Sequence, residues 1–121
     1  MKTKSLLIAG ALALAVPSFA AAANLSGTWK LSTKIQDAPS EIDCTFAQSG
    51  DALSGTCNRA GDPASPATGT VAGKAAKWSY SIDFGGQKIV VDYTAELTSD
   101  TAMKGQWTVA GQGSDFTAAK Q

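Results

Sequence analysis

The stretch WSYSIDFGGQKIVVDY, Trp78–Tyr93, decides the fold. Before Gly85-Gly86 the apolar side chains fall on every second residue: Trp78, Tyr80, Ile82 and Phe84. After it they do so again, at Ile89, Val91 and Tyr93, with Leu97 beyond. A period of two is the signature of a strand with one buried face, and a glycine pair between two such runs is a hairpin turn. Ser79, Asp83, Asp92 and Glu96 fall on the other face, which therefore meets water.

The same pattern extends along the chain in both directions. Trp29, Leu31 and Ile35 share parity, as do Ile42, Cys44 and Phe46, then Leu53, Gly55 and Cys57. Met103, Trp107 and Val109, then Phe116 and Ala118, complete the inner face. Lys30, Lys34, Asp43, Thr45, Lys104 and Gln106 add to the outer one. Eight strands are predicted, over 27–35, 41–48, 53–59, 66–72, 76–84, 88–98, 102–110 and 114–120. Ser49-Gly50-Asp51-Ala52, Ser99-Asp100 and Gly111-Gln112-Gly113 are expected as further hairpin turns. Successive hairpins make an antiparallel meander. Eight such strands close into an up-and-down β-barrel, which leaves no exposed edge. The fold class is all-β. An apolar interior with a polar exterior is the reverse of an outer-membrane barrel.

The residues before the first strand read differently. Lys2 and Lys4 precede an apolar run, Leu6 to Val16, then Pro17 and the small residues Ala20 to Ala23. This is the pattern of a secretory signal peptide over 1–23, cleaved between Ala20 and Asn24. The run is short for a membrane anchor, so no membrane insertion is expected after cleavage. Residues 24–121 then form one barrel domain, periplasmic or secreted.

An oxidising compartment permits a disulfide, and the chain has two cysteines. If Gly50-Asp51 is a two-residue turn, position 44 faces position 57 in a non-hydrogen-bonded pair. Cα atoms there approach to about 4.5 Å, within reach of a Cys44–Cys57 bridge.

Composition excludes several function classes. The chain has 121 residues, 10 Lys+Arg, 10 Asp+Glu and no His. Without histidine there is no Ser-His or Cys-His pair and no imidazole metal ligand. Balanced charge argues against a nucleic-acid partner. Asp92 and Glu96 share the solvated face, where no raised carboxyl pKa is expected. Asp83, Asp92 and Glu96 lack dedicated calcium-loop spacing, and no phosphate-binding loop is present. The expectation is a non-enzymatic protein with no metal and no cofactor.

Gly27-Thr28-Trp29 resembles the first-strand Gly-x-Trp of the calycins: lipocalins, fatty-acid-binding proteins and avidins. Within that group the avidins are most similar. Leu25-Ser26-Gly27-Thr28-Trp29 resembles their start, Leu53-Ser54-Gly55-Thr56 their third strand, Gln106-Trp107 a seventh-strand pair whose Trp lines the ligand pocket, and Phe116-Thr117 their last strand. The resemblance implies a basic residue, here Lys120, packed over Trp29 to close one barrel end. It also implies a lid role for the Asn58–Pro66 connector. Leu31, Cys57 and Arg59 stand where avidins place polar partners of the biotin ureido ring, so biotin is not the expected ligand.

With Trp29 and Lys120 at the closed end, the mouth is expected near Ile35, Ile42, the Cys44–Cys57 bridge, Arg59, Phe84, Ile89, Val109 and Phe116. The candidate ligand site is Arg59, Tyr80, Phe84, Tyr93 and Trp107: an Arg for an anionic head group and aromatics for an apolar body. The expected partner is a small apolar or amphipathic molecule. The alternative is a protein partner, because small exported barrel inhibitors of secreted metalloproteases share a Gly-x-Trp-like start, a disulfide and a basic end. Those inhibitors insert an N-terminal trunk, for which only Asn24-Leu25-Ser26 is present here.

Overall fold

The computed structural model describes residues 23–121. The expected signal peptide lies outside the described residues, apart from Ala23. Eight strands follow one another: β1 Gly27–Ile35, β2 Ala38–Ser49, β3 Ala52–Arg59, β4 Ser65–Ala72, β5 Ala75–Phe84, β6 Gln87–Ser99, β7 Ala102–Val109 and β8 Gln112–Lys120. Each pairs antiparallel with the next, and β8 returns to β1, closing the barrel. The expected up-and-down topology is therefore the observed one.

Six of the seven connections are two-residue turns. Phe84 pairs with Gln87 across Gly85-Gly86, both in the left-handed region. Ser49 pairs with Ala52 across Gly50-Asp51, as the sequence predicts. Two expected turns are displaced. The β6–β7 turn is Asp100-Thr101, because a bulge between Leu97 and Ser99 adds a residue to β6. The β7–β8 turn is Ala110-Gly111, with Gln112 already paired to Val109. The turn Gln36-Asp37 has no glycine, yet both residues take positive φ, 51° and 66°, so β2 begins at Ala38, three residues before the expected start.

The inner face carries the core. Trp29, Leu31, Cys44, Phe46, Leu53, Cys57, Trp78, Tyr93, Met103 and Phe116 are buried. Aromatic rings fill the middle of the barrel. Trp78 stacks on Tyr93 with centroids 5.1 Å apart, Phe46 meets Trp78 edge-on at 5.0 Å, and Phe116 does the same to Tyr93 at 5.5 Å. Three inward glycines let this happen. Gly55, Gly69 and Gly105 pair with Phe46, Trp78 and Phe116. At each of the three, the neighbouring strand's backbone occupies the space a Cβ would need. The sheet coils tightly at these points while the large ring takes the interior.

Cys44 faces Cys57 in the expected register, and they form a disulfide with Cα atoms 4.1 Å apart. Closing a loop of this length contributes about 3 kcal/mol. The bridge is buried and lies beside Trp29, Cys44's partner across β1–β2. It belongs to the core, as do Ile42 and Phe116, and none of these lines the mouth.

Candidate functional site

The two ends of the barrel differ. One is sealed. Leu25 is fully buried and its N–H donates to Gln48 Oε1 at 2.7 Å. Trp29 Nε1 donates to the Leu25 carbonyl at 3.0 Å. Lys120 Nζ lies 5.9 Å from the centroid of the Trp29 ring, the cation–π contact that the Gly-x-Trp resemblance implies. Ala23 N–H reaches the Gly73 carbonyl, so residues 23–26 are sewn to this end.

The opposite end is the mouth, where two hydrogen-bonded pairs form a floor. Tyr80 and Tyr93 share a bond between their hydroxyls at 2.8 Å. Trp107 Nε1 donates to Thr33 Oγ1 at 2.8 Å, and that hydroxyl donates to the Asp115 carbonyl at 2.7 Å. Thr33 is the single buried polar side chain among the described residues. Apolar periodicity alone does not single it out; its place between Leu31 and Ile35 on the apolar face is the signal that marks it.

The candidate residues lie at different depths. Tyr93 is buried within the aromatic core. Tyr80 and Trp107 are half-buried and pack against that core. Arg59 is exposed, and its Nε contacts Asp62 Oδ2 at 3.4 Å, an exposed pair of little stabilising value. Phe84 stands apart from these four, 71% exposed.

Burial pushes the Tyr93 phenol far above its ordinary value, with the Tyr80 hydroxyl acting in the same direction. Burial also raises Tyr80, opposed by its bond to Tyr93 and by the positive charge of Arg59. Both phenols are neutral at physiological pH, so the pair offers one spare O–H donor alongside oxygen lone pairs. Trp78 Nε1 is buried without a hydrogen-bond partner.

Phe84 is exposed because neighbouring strands end early. The β4–β5 ladder stops at Ala67 and Tyr80. The next residue of β4 is Pro66, which has no N–H to continue it. The β6–β7 ladder stops at Val91 and Val109, where β7 turns. Residues 81–90 therefore overhang the rim as a hairpin, about 13 Å long at 3.3 Å per residue, free beyond Ser81 and Val90, which lie level with Pro66 and Ala110. Its inward-parity side chains are Ile82, Phe84 and Ile89. The parity predicted for them is the observed one, but at this height there is no barrel wall opposite. The Asn58–Pro66 connector shortens to residues 60–64 and carries no comparable apolar surface.

Two open depressions, of about 310 and 320 Å³, lie over β4–β6 and over β7–β8. Most of their lining is outward-facing polar residues such as Thr68, Thr70, Lys77, Gln106 and Thr108, so they are features of the outer wall. Among the described residues no group of Cys, Asp or Glu converges as a metal site.

A redesigned β-barrel of known structure is similar to this chain, with a TM-score of 0.57 over 80% of this chain and 90% of the other. The two are 14% identical, so the likeness is one of fold. No family model and no curated protein matches the sequence. What the chain has in common with a known structure is thus the closed antiparallel barrel.

Proposed function

We propose that the protein is an exported, non-catalytic barrel that takes a small, partly apolar molecule at its open end. The observation that carries this reading is the mouth floor. Tyr80 and Trp107 present half-buried aromatic surface beside convergent polar groups, beneath an apolar overhang. Few polar groups set in apolar surface is the usual make-up of a small-ligand site. The packed aromatic interior favours a ligand seated on this floor rather than deep in the barrel. Arg59 is exposed at this end, with Asp62 beside its Nε, and a guanidinium is suited to an acidic head group. The disulfide fits an oxidising compartment, in keeping with export.

The probe for this reading is anilinonaphthalene sulfonate, an aromatic anion, titrated against the purified barrel and read by dye fluorescence. Trp107→Ala is expected to weaken binding about tenfold or more, by loss of buried aromatic contact. Lys104→Ala, on the outer wall, is expected to leave it unchanged. Arg59→Gln should weaken the anionic dye while sparing neutral N-phenylnaphthylamine. Equal effects of the Trp107 and Lys104 substitutions would refute the reading.

The inhibitor alternative loses its trunk: Leu25 is part of the seal at the closed end. A protein-interaction reading is favoured by a different observation, the overhang.

A further inference from the structure

The chain has two tyrosines, and the barrel brings them together. Tyr80 pairs with Val91, and Trp78 with Tyr93, across the β5–β6 ladder. The tyrosines are therefore diagonal neighbours on the inner face, a spacing that aromatic side chains can bridge. Their ring centroids are 5.6 Å apart with planes 30° apart, and their hydroxyl oxygens share a bond at 2.8 Å.

The two rings differ in freedom. Tyr93 is buried and held on two sides: Trp78 stacks on it at 5.1 Å, and Phe116 packs edge-on at 5.5 Å. Tyr80 is half-buried and meets solvent at the mouth. This is a geometry suited to coupling between phenols. A phenol that loses a hydrogen atom spreads its unpaired electron over the oxygen and the ortho carbons. When two such carbons join, the product is a 2,2′-biphenol, whose oxygens stand side by side as these already do. Side chains that oxidise more readily are out of reach. Both cysteines are in the Cys44–Cys57 disulfide, and Met103 is buried.

We propose that Tyr80 and Tyr93 form an oxidative cross-linking site, which hydrogen peroxide acting through a one-electron oxidant converts to a carbon–carbon-linked dityrosine within one barrel.

Both phenols are protonated at physiological pH, so each gives up a proton with its electron. Tyr80, at the mouth, is oxidised first. With its own hydrogen gone, its oxygen can only accept, and it takes a hydrogen atom from the Tyr93 hydroxyl along their shared bond. The radical is now on the buried ring, and Tyr80 is a phenol again. A second oxidation of Tyr80 leaves two adjacent phenoxyl radicals. One ortho carbon of each forms the new bond. The hydrogen on each of those carbons passes to its ring's oxygen, so both hydroxyls return. The protein has lost two protons and two electrons. These break the O–O bond of one hydrogen peroxide and reduce it to two waters. The new bond ties β5 to β6 at the mouth floor.

The test exposes the mature protein to photogenerated ruthenium(III) tris-bipyridine, with persulfate as the electron acceptor. Trypsin cleaves after Lys77, Lys88 and Lys104, which puts Tyr80 and Tyr93 in separate peptides, 78–88 and 89–104. The expected product is a monomer lighter by two hydrogens, with those peptides joined and with dityrosine fluorescence. Its yield should be at least about tenfold higher than from the same chain unfolded in urea with its disulfide intact, because the folded barrel holds the rings side by side. Tyr80→Phe and Tyr93→Phe each keep the ring and should each abolish the joined peptide. In Tyr80→Phe, Tyr93 should also stay unoxidised, since it is reached through Tyr80. A yield no higher than in urea, dityrosine confined to covalent dimers, or oxidation that stops at Trp78 or Trp107 with no joined peptide would each overturn the proposal. No readout involves a bound ligand, so this outcome and that of the dye titration are separable.

Discussion

Thr33 shows how one hydroxyl can organise the mouth. It accepts from Trp107 and donates to Asp115, fixing the indole edge and tying β1 to β8 where their ladder ends at Phe116. Thr33→Val keeps the shape and removes both bonds. The expected loss is about 2 kcal/mol for partners left unsatisfied in a partly buried site, or a Tm lower by about 10 °C. Thermal melting checks this, and Trp107 emission should shift as its N–H is released. The tyrosine pair gives a second residue-scale prediction, with a sign fixed by burial. In the folded barrel both phenols hold their protons above the ordinary value near 10. In the unfolded chain they ionise near 10. Above that pH the unfolded state binds fewer protons than the folded one. Stability is therefore full below about pH 10 and falls as pH rises, by up to about 1.4 kcal/mol per unit for each tyrosine. Urea midpoints measured from about pH 8 to pH 11 should show this fall, and Tyr93→Phe should make it shallower.

At the scale of the strand, the inward glycines decide whether the barrel can close. A Cβ at Gly69 would stand 1.9 Å from the Lys77 carbonyl oxygen and 2.7 Å from the Trp78 Cα. These are backbone atoms of the paired strand, so they can move only by breaking the ladder. Gly69→Ala is expected to cost more than about 4 kcal/mol, in the range kept for severe backbone or core disruption. Gly50→Ala meets nothing within 4 Å and should cost only about 1 kcal/mol for its left-handed φ. Denaturant unfolding of the two variants separates the effects. Much of the element level was legible in the sequence. Alternation is a local property, so the inner face could be read residue by residue, and the Gly50-Asp51 turn was enough to set Cys44 against Cys57. Strand ends were less legible. Gln36-Asp37 carries no glycine, and the bulge after Leu97 hides a residue, so neither turn announces its place. The overhang was illegible for another reason. Ile82, Phe84 and Ile89 have the right parity for the interior. The exposure of Ile82 and Phe84 follows from Pro66 ending one neighbouring ladder and Ala110-Gly111 ending the other, which no periodicity in β5 or β6 records. The candidate site was legible in part for the same reason: Tyr80, Tyr93 and Trp107 follow from parity, whereas the height of Phe84 depends on its neighbours' lengths.

Over the whole molecule, these local facts add up to a gradient of stability along the barrel axis. The closed end gathers the buried Leu25 and Trp29, the disulfide, and ties from Ala23 to Gly73, Leu97 to Lys74, Lys120 to Thr101 and Gln121 to Thr28. Opening any of them exposes core, so amides there should exchange only through global unfolding, at about 5–10 kcal/mol. The overhang has two strands, solvent on both faces and no wall opposite. Amides of residues 81–90 should open locally at a small fraction of that free energy, since an isolated two-stranded hairpin is marginal in water. Hydrogen exchange followed along the chain in dilute protein should therefore show the strongest protection around Trp29, Leu31 and Cys44 and the weakest at the tip near Gly85. Protection equal to that of β1 throughout residues 81–90 in dilute solution would mean that the hairpin is already covered in the monomer. The gradient would then be absent, and with it the reason for the mouth to act as the working end of the barrel.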